Sequence, residues 1–381
     1  MKAKIKMLIA LLVFLMISYT ISAQESKQNF KVGTYAGYEY NYFKSPTEVQ
    51  QDTVLFTESD LISSSSYKDI FANYDYTTKW KGNRLRLSAS PSTRLFYDNF
   101  EDSYWSLTAN VKYDRELSEK TKFLAQLSFR RMNREGLDGA QDVLVNPLGY
   151  TNYGVRTGLG IAPIQKNKTT ILAFYNFKDF DAFGIRDLQF DEFGLQLNTR
   201  QQFRVNKLRH AYGINSYIKK RLYDTFNASD VISSGARDWS YVKATAYYEL
   251  PISKNLEIEP SYTYYTRIDN MDKRSGFTQT GPALGIVFDN DITSVRSSLK
   301  YLTRNYTTLE ARDNLGLIGE KIKYQYMDIA INAEHRLGSS GFSLIAEAYS
   351  RVRTTNYTDI DARSFRGYTN QYAGVGLRWQ L

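Results

Sequence analysis

The sequence predicts an all-β chain: a transmembrane antiparallel up-and-down β-barrel of about sixteen strands, with fourteen or eighteen as the alternatives. Three observations carry that reading. Apolar and polar residues alternate with period 2 over segments of 13 to 16 residues. Such segments are too long for the roughly 5–6-residue strands of soluble sandwiches and long enough to cross a bilayer at a tilt. The connections between them alternate in length. Finally, the chain stops on the strand 367–381, with Ala373, Val375, Leu377, Trp379 and Leu381 on one face and Asn370, Tyr372, Gly374, Gly376 and Arg378 on the other. An apolar strand with an open edge is untenable in lipid, so it needs a partner, and the first strand is the natural one.

Met1 to Ala23 has Lys2, Lys4 and Lys6, an apolar stretch from Met7 to Ile17 and the end Ile21-Ser22-Ala23. This is the plan of a signal peptide cleaved before Gln24, which leaves 24–381 as one barrel domain. Cysteine is absent, so neither disulfides nor a thiolate metal site is expected. Of 49 basic and 40 acidic residues, three lysines leave with the leader, for a formal charge of +6. That modest, scattered excess describes a surface and gives no reason to expect nucleic acid. Tyrosine, with 31 copies, reads as an interfacial aromatic girdle.

In chain order, strand 1 carries Phe30, Val32, Thr34, Ala36, Tyr38, Tyr40 and Tyr42 against Lys31, Gly33, Gly37, Glu39 and Asn41. Strand 2 sets Ile70, Ala72, Tyr74, Tyr76 and Trp80 against Asn73, Asp75, Thr77 and Lys79. In strand 3, Leu85, Leu87, Ala89, Leu95 and Tyr97 alternate with Arg84, Arg86, Ser88, Ser90, Ser92 and Arg94, which puts one face in lipid and one in water. Further strands are expected near 102–115, 121–133, 149–162, 169–181, 188–203, 208–223, 238–250, 255–268, 276–289, 293–306, 321–335, 341–355 and 367–381, with 169–223 the least regular. Short connections such as 81–83 and 205–207 alternate with longer ones at 44–66, 132–148, 224–237, 305–321 and 355–366. Ser63 to Ser66 read as part of a flexible loop.

The leader, the immediate amphipathic strands, the alternating turn lengths and the aromatic C-terminal strand together resemble a Gram-negative outer-membrane β-barrel. The Ala23-Gln24 junction and the tyrosine-rich strands are similar to such proteins of Bacteroidota. Gly374, Leu377 and Trp379 match the C-terminal assembly signal of these barrels, and Leu381 departs from its usual terminal aromatic. The resemblance implies an outer-membrane location with both termini in the periplasm. It implies lipid and the β-barrel assembly machinery as partners, with a homo-oligomer or a larger outer-membrane complex as further options.

No enzyme and no cofactor is expected. His210 and His335, the only histidines, fall beside short turns and not at the rim where the hydrolases of this class place theirs. Glu257 and Glu259 are about 6–7 Å apart along one strand, and they are expected to pair with arginines. The informative surface is the polar face. Its basic residues are Lys31, Lys79, Arg84, Arg86, Arg94, Lys112, Arg130, Arg156, Arg267, Arg296, Lys300, Arg351 and Arg378. They face Glu39, Asp75, Asp114, Glu257, Glu259 and Glu347. A lumen so lined favours anions, and sixteen strands enclose enough room for water. Arg134, Glu135, Asp138 and Asp142, in 132–148, which is the third connection on the long-loop side once the short 98–102 is counted, are candidates for a constriction. The function this predicts is a passive channel for small polar or anionic solutes. The alternative is a non-conducting accessory barrel of a secretion, polysaccharide-export or assembly complex.

Overall fold

The computed structural model describes residues 25–139, 146–184, 187–224, 237–271 and 274–381. The expected leader and Asp142 lie outside the described residues. The chain opens with β1 (Glu25–Tyr40), a small hairpin of β2 (Val49–Gln51) and β3 (Val54–Phe56), and a one-turn helix α1 (Glu58–Leu61). There follow β4 (Ser65–Trp80), β5 (Asn83–Phe96), β6 (Tyr104–Ser118), β7 (Thr121–Asn133), β8 (Tyr150–Ile161), β9 (Asn167–Phe180), β10 (Gln189–Val205) and β11 (Leu208–Asp224). Then come β12 (Arg237–Pro251), β13 (Leu256–Asp269), β14 (Phe277–Asp289), β15 (Thr293–Asp313), β16 (Gly316–Arg336), β17 (Phe342–Thr355) and β18 (Tyr368–Gln380). All but β2 and β3 form one closed antiparallel barrel in which sequence neighbours are also spatial neighbours.

The final strand finds the partner that its edge requires. β1 and β18 pair in unbroken register from Lys31↔Gln380 to Tyr40↔Gln371, and the Leu381 N–H donates to the Phe30 carbonyl at 2.9 Å. Closure leaves no barrel edge unpaired. Short hairpins set the register elsewhere. Lys81 and Gly82 turn β4 into β5 with φ of 39° and 77°, and Asn206 and Lys207 turn β10 into β11 with φ of 49° and 68°. Positive φ at both central residues is the turn whose twist matches the flanking strands.

The outer surface is apolar all the way round. Ile70, Val155, Ile171, Leu195, Ile214, Val242, Tyr262, Leu284, Leu299, Ile329, Leu344 and Val375, from twelve different strands, are each more than a third exposed. Monomeric soluble proteins rarely expose a contiguous apolar surface of this extent, and lipid is what covers it. The opposite face identifies itself by contacts that skip strands, which only the concave side allows. Arg94 on β5 reaches Glu347 on β17 across the three strands between them.

Four expectations are corrected. β1 begins at Glu25, five residues before Phe30. Ser65 and Ser66 belong to β4, and Ser65 is fully buried, its hydroxyl accepting from the Asp98 N–H at 3.0 Å. The connection 305–321 is not a loop: β15 and β16 run on as a hairpin that turns at Asn314 and Leu315. Register shifts between Asn305 and Arg312 erase the alternation there, although Tyr306, Ala311 and Ile322 are buried on one side of the hairpin. The tyrosines are not only a lipid girdle, because many face inward.

Candidate functional site

Two clusters face each other across the lumen. On one wall Arg94 meets three carboxylates. Its guanidinium holds Asp69 with two bonds of 2.7 and 2.5 Å and Glu39 with one of 2.5 Å, and it stands 3.7 Å from Glu347. The group lies 3.9 Å from the centroid of the Tyr67 ring, and the Tyr67 hydroxyl donates to Glu347 at 3.3 Å. One cation among three acids gives this wall, on β17, β1, β4 and β5, a negative surplus.

On β9 to β12 the ratio is inverted. Glu192 accepts from Lys219 Nζ at 2.8 Å and from Arg221 Nε and Nη2 at 2.9 and 2.7 Å, while Asn176 donates to its other oxygen at 3.3 Å. Lys178 Nζ lies 3.5 Å from the centroid of Tyr150 and 4.2 Å from that of Phe180. Arg130 shares the Tyr150 ring at 5.7 Å. Glu39 on β1 and Arg221 on β11 are eight strands apart, half-way round the ring. The walls are therefore opposite in position as well as in charge.

A belt of inward rings runs round the long-loop end. From Tyr150 it passes through Phe180, Phe190, Tyr223, Trp239, Tyr241, Tyr265 and Phe277 to Tyr306 and Tyr324, with successive centroids 5.0 to 6.3 Å apart. Each such pair adds about 0.5–1.5 kcal/mol beyond burial. Cations cover the ring faces, with Arg221 4.2 Å from Phe190 and Arg267 4.3 Å from Trp239. Phe365, in the connection between β17 and β18, packs on Tyr306 at 6.2 Å, so this loop leans into the mouth.

Towards the short turns the wall is wet. Arg84 and Arg86 face inward and share Asp114, yet their side chains remain 40% and 42% exposed. Arg296 and Lys300 are exposed as well. The register places all the sequence-predicted lumen residues on this concave face. Arg351 pairs with Asp328 by bonds of 2.7 and 2.6 Å. Arg267 is 5% exposed and donates to the Ser275 carbonyl at 3.2 Å. Glu257 and Glu259 lie against one another, and among the described residues neither forms an ion pair with an arginine. The nearby Arg200 is taken by Glu249, at 2.7 Å from Nε.

The connection between β7 and β8 reaches the one that follows β1. The Gly139 N–H donates to the Phe43 carbonyl at 2.8 Å. Arg134 stacks 4.6 Å from Tyr104 and 5.6 Å from Phe43, and Glu135 is exposed. Asp138 is held in a short bridge by its N–H to the Asn146 carbonyl at 3.0 Å. The first loop is itself braced: the Thr57 backbone N–H and hydroxyl both reach the Asp60 carboxylate and hold it below the ordinary carboxylate range. His210 and His335 both sit on the lipid side. His210 Nδ1 is 3.0 Å from the Tyr248 hydroxyl, and His335 Nδ1 is 2.9 Å from the Thr293 hydroxyl. In the C-terminal strand Leu377 and Trp379 face outward, Gly374 faces inward, and Leu381 is 68% exposed.

Asp69, Lys178, Glu192, Lys219 and Arg221 were not legible as a site. The signal that finds them is an aromatic residue on the polar face at the long-loop end of consecutive strands, with a charged residue two positions away: Tyr67 and Asp69, Phe180 and Lys178, Phe190 and Glu192, Tyr217 and Lys219, Tyr223 and Arg221.

No protein-family model matches the chain, and no curated protein does either. Solved structures do. The alcaligin outer-membrane receptor FauA from Bordetella pertussis matches at 13% identity and TM-score 0.42, over 85% of this chain and 51% of that one, so this chain spans about half its length. A bacterial polysaccharide outer-membrane secretin matches at 10% identity and TM-score 0.46, over 93% of this chain and 98% of that one. Pseudomonas aeruginosa OccK1 matches at 10% identity and TM-score 0.42, with the same two coverages of 93% and 98%. This chain shares with them the closed barrel, and likenesses at this level carry no argument about its solute or partner.

Proposed function

We propose that the chain is a passive, non-enzymatic channel of an outer membrane for small polar and anionic solutes. The observation that carries this reading is the hydration of the inner wall: Lys300, seven residues into β15 from its short turn, points into the barrel and is exposed, and Arg84 and Arg86 nearer the mouth keep about two-fifths of their side-chain surface accessible. A barrel filled by its own side chains would bury them. The basic stretch near the short turns draws anions in, and the packed rings and inward-leaning loops narrow the other end. The lipid-facing belt and the short-turn, long-loop asymmetry support the outer-membrane placement, with the short turns in the periplasm. Purified barrel in a planar bilayer is expected to give stable ohmic steps. A silent bilayer across several lipid compositions would reject the channel.

One observation favours the accessory-barrel alternative. The β15–β16 hairpin stands beyond the lipid belt and carries Leu315, 98% exposed, with Leu317 also exposed at its tip. An apolar tip held out in water suits a protein contact. Purification in mild detergent followed by mass analysis tests it: a stoichiometric companion lost on Leu315→Ser supports this reading, and a barrel that purifies alone does not.

A further inference from the structure

We propose that the basic wall is a binding site for a small organic carboxylate whose body is a planar ring. This names the solute class of the lumen and rests on the reading of that lumen as a solute path. The starting point is a shortage of negative charge. Glu192 is the carboxylate bound to both Lys219 and Arg221, so it balances one of the two. The charged groups that act on Lys178 are Arg221, Arg130 and Glu192, and those that act on Lys219 include Lys243. Among the described residues no ion pair serves Lys178, Lys243 or Arg130. Five cations thus share one acid on a wall where the side chains of Lys219 and Arg221 are only 12% and 22% exposed.

Like charges gathered in a partly dehydrated site repel, and rings relieve this only in part. A cation over an aromatic face is stabilised without being neutralised. An incoming anion removes the repulsion. Lys178 is the natural first contact, because its ammonium is held over the Tyr150 and Phe180 rings and, among the described residues, no carboxylate pairs with it. Glu192 shows the geometry the wall offers a carboxylate: one oxygen between an ammonium and a guanidinium, and the other against the Asn176 amide. A solute carboxylate between Lys178 and Arg130, beside Tyr150, repeats that arrangement two strands over. The ring follows from what lies beside the cations. Tyr150, Tyr217 and Tyr265 are only half-buried, so they leave aromatic surface on the lumen on which a planar body stacks.

The test is calorimetry on the purified barrel in detergent with benzoate as probe, and with benzyl alcohol and inorganic phosphate as comparisons. Saturable binding of benzoate is expected, weaker by about tenfold or more in Lys178→Met. Binding is expected to be stronger in Glu192→Gln, which frees two cations. Lys243→Met, on the same wall but away from Tyr150, is the second variant, with a smaller loss expected. Heat-modified gel mobility of each variant confirms that the barrel is folded. The proposal is overturned by a folded Lys178→Met that binds benzoate as the native barrel does, or by benzyl alcohol binding equally well. Inorganic phosphate matching benzoate would overturn the ring-bearing class, and absence of benzoate binding would overturn the site. Calorimetry needs no current, so a barrel that binds benzoate but is silent in a bilayer rejects the channel and leaves the site standing.

Discussion

The Arg94 wall and the Glu192 wall are built from the same parts in opposite proportion. Each has an ionic centre, charged residues from strands that are not neighbours, and aromatic rings on the concave face. Around Arg94 three carboxylates enclose one guanidinium, and around Glu192 several cations crowd one carboxylate. Arg94 is a closed structural knot that ties β5 to β1, β4 and β17, with every carboxylate in contact with it. The basic wall is incomplete, because its cations outnumber the acids that the described residues set against them. The difference teaches that a charged lumen has two uses: one wall holds the cylinder in shape, and the other is left for something that arrives.

Breaking the knot is the most damaging change. Arg94→Ala leaves Glu39, Asp69 and Glu347 facing one another with little water, and is expected to destabilise the folded barrel by about 3–5 kcal/mol. Urea unfolding in detergent, followed by heat-modified mobility, measures that. Loss of the Trp239 ring comes next. Trp239→Phe keeps an aromatic in the belt but removes the 2.8 Å bond from its indole N–H to Asp269, at an expected cost of about 1–3 kcal/mol in the same assay. Asp114→Asn acts on a wetter pair. With its arginine partners about two-fifths exposed, it is expected to cost about 1 kcal/mol or less and to shift conductance further towards anions. Smallest of all is Glu25→Gln, which removes the exposed pair with Lys79 and is expected to leave the unfolding midpoint unchanged. If Glu25→Gln cost as much as Arg94→Ala, the distinction between a knot and a wetted rim would collapse.

Sequence alone makes the architecture legible where each strand has one wet and one greasy face. Arg84, Leu85, Arg86 and Leu87 leave no choice of side, and the terminal strand demanded the partner that β1 supplies. The site was legible only in halves. Strand 2 read from Ile70 leaves out Asp69, and with it the reason Arg94 is held. On β9 and β10 the inward face carries Leu172, Phe174 and Phe190 beside Lys178 and Glu192, so both faces look apolar and the period-2 signal fades where the basic wall lies. Burial of rings inside the barrel is a tertiary fact. A tyrosine in lipid and a tyrosine in the lumen leave the same letter, and only closure of the sheet tells Tyr153 from Tyr150. The β15–β16 hairpin was hidden for a different reason, since the register shifts between Asn305 and Arg312 break the period of two.

The central claim is that the basic wall is the working surface of a conducting lumen. The measurement that tests it most directly is the reversal potential of a single barrel in a planar bilayer under a potassium chloride gradient, for the native chain and for Lys178→Met. Anion preference is expected in the native barrel and a shift towards zero selectivity in the variant; a cation-selective native barrel, or a reversal potential that Lys178→Met leaves unmoved, would rule this role out.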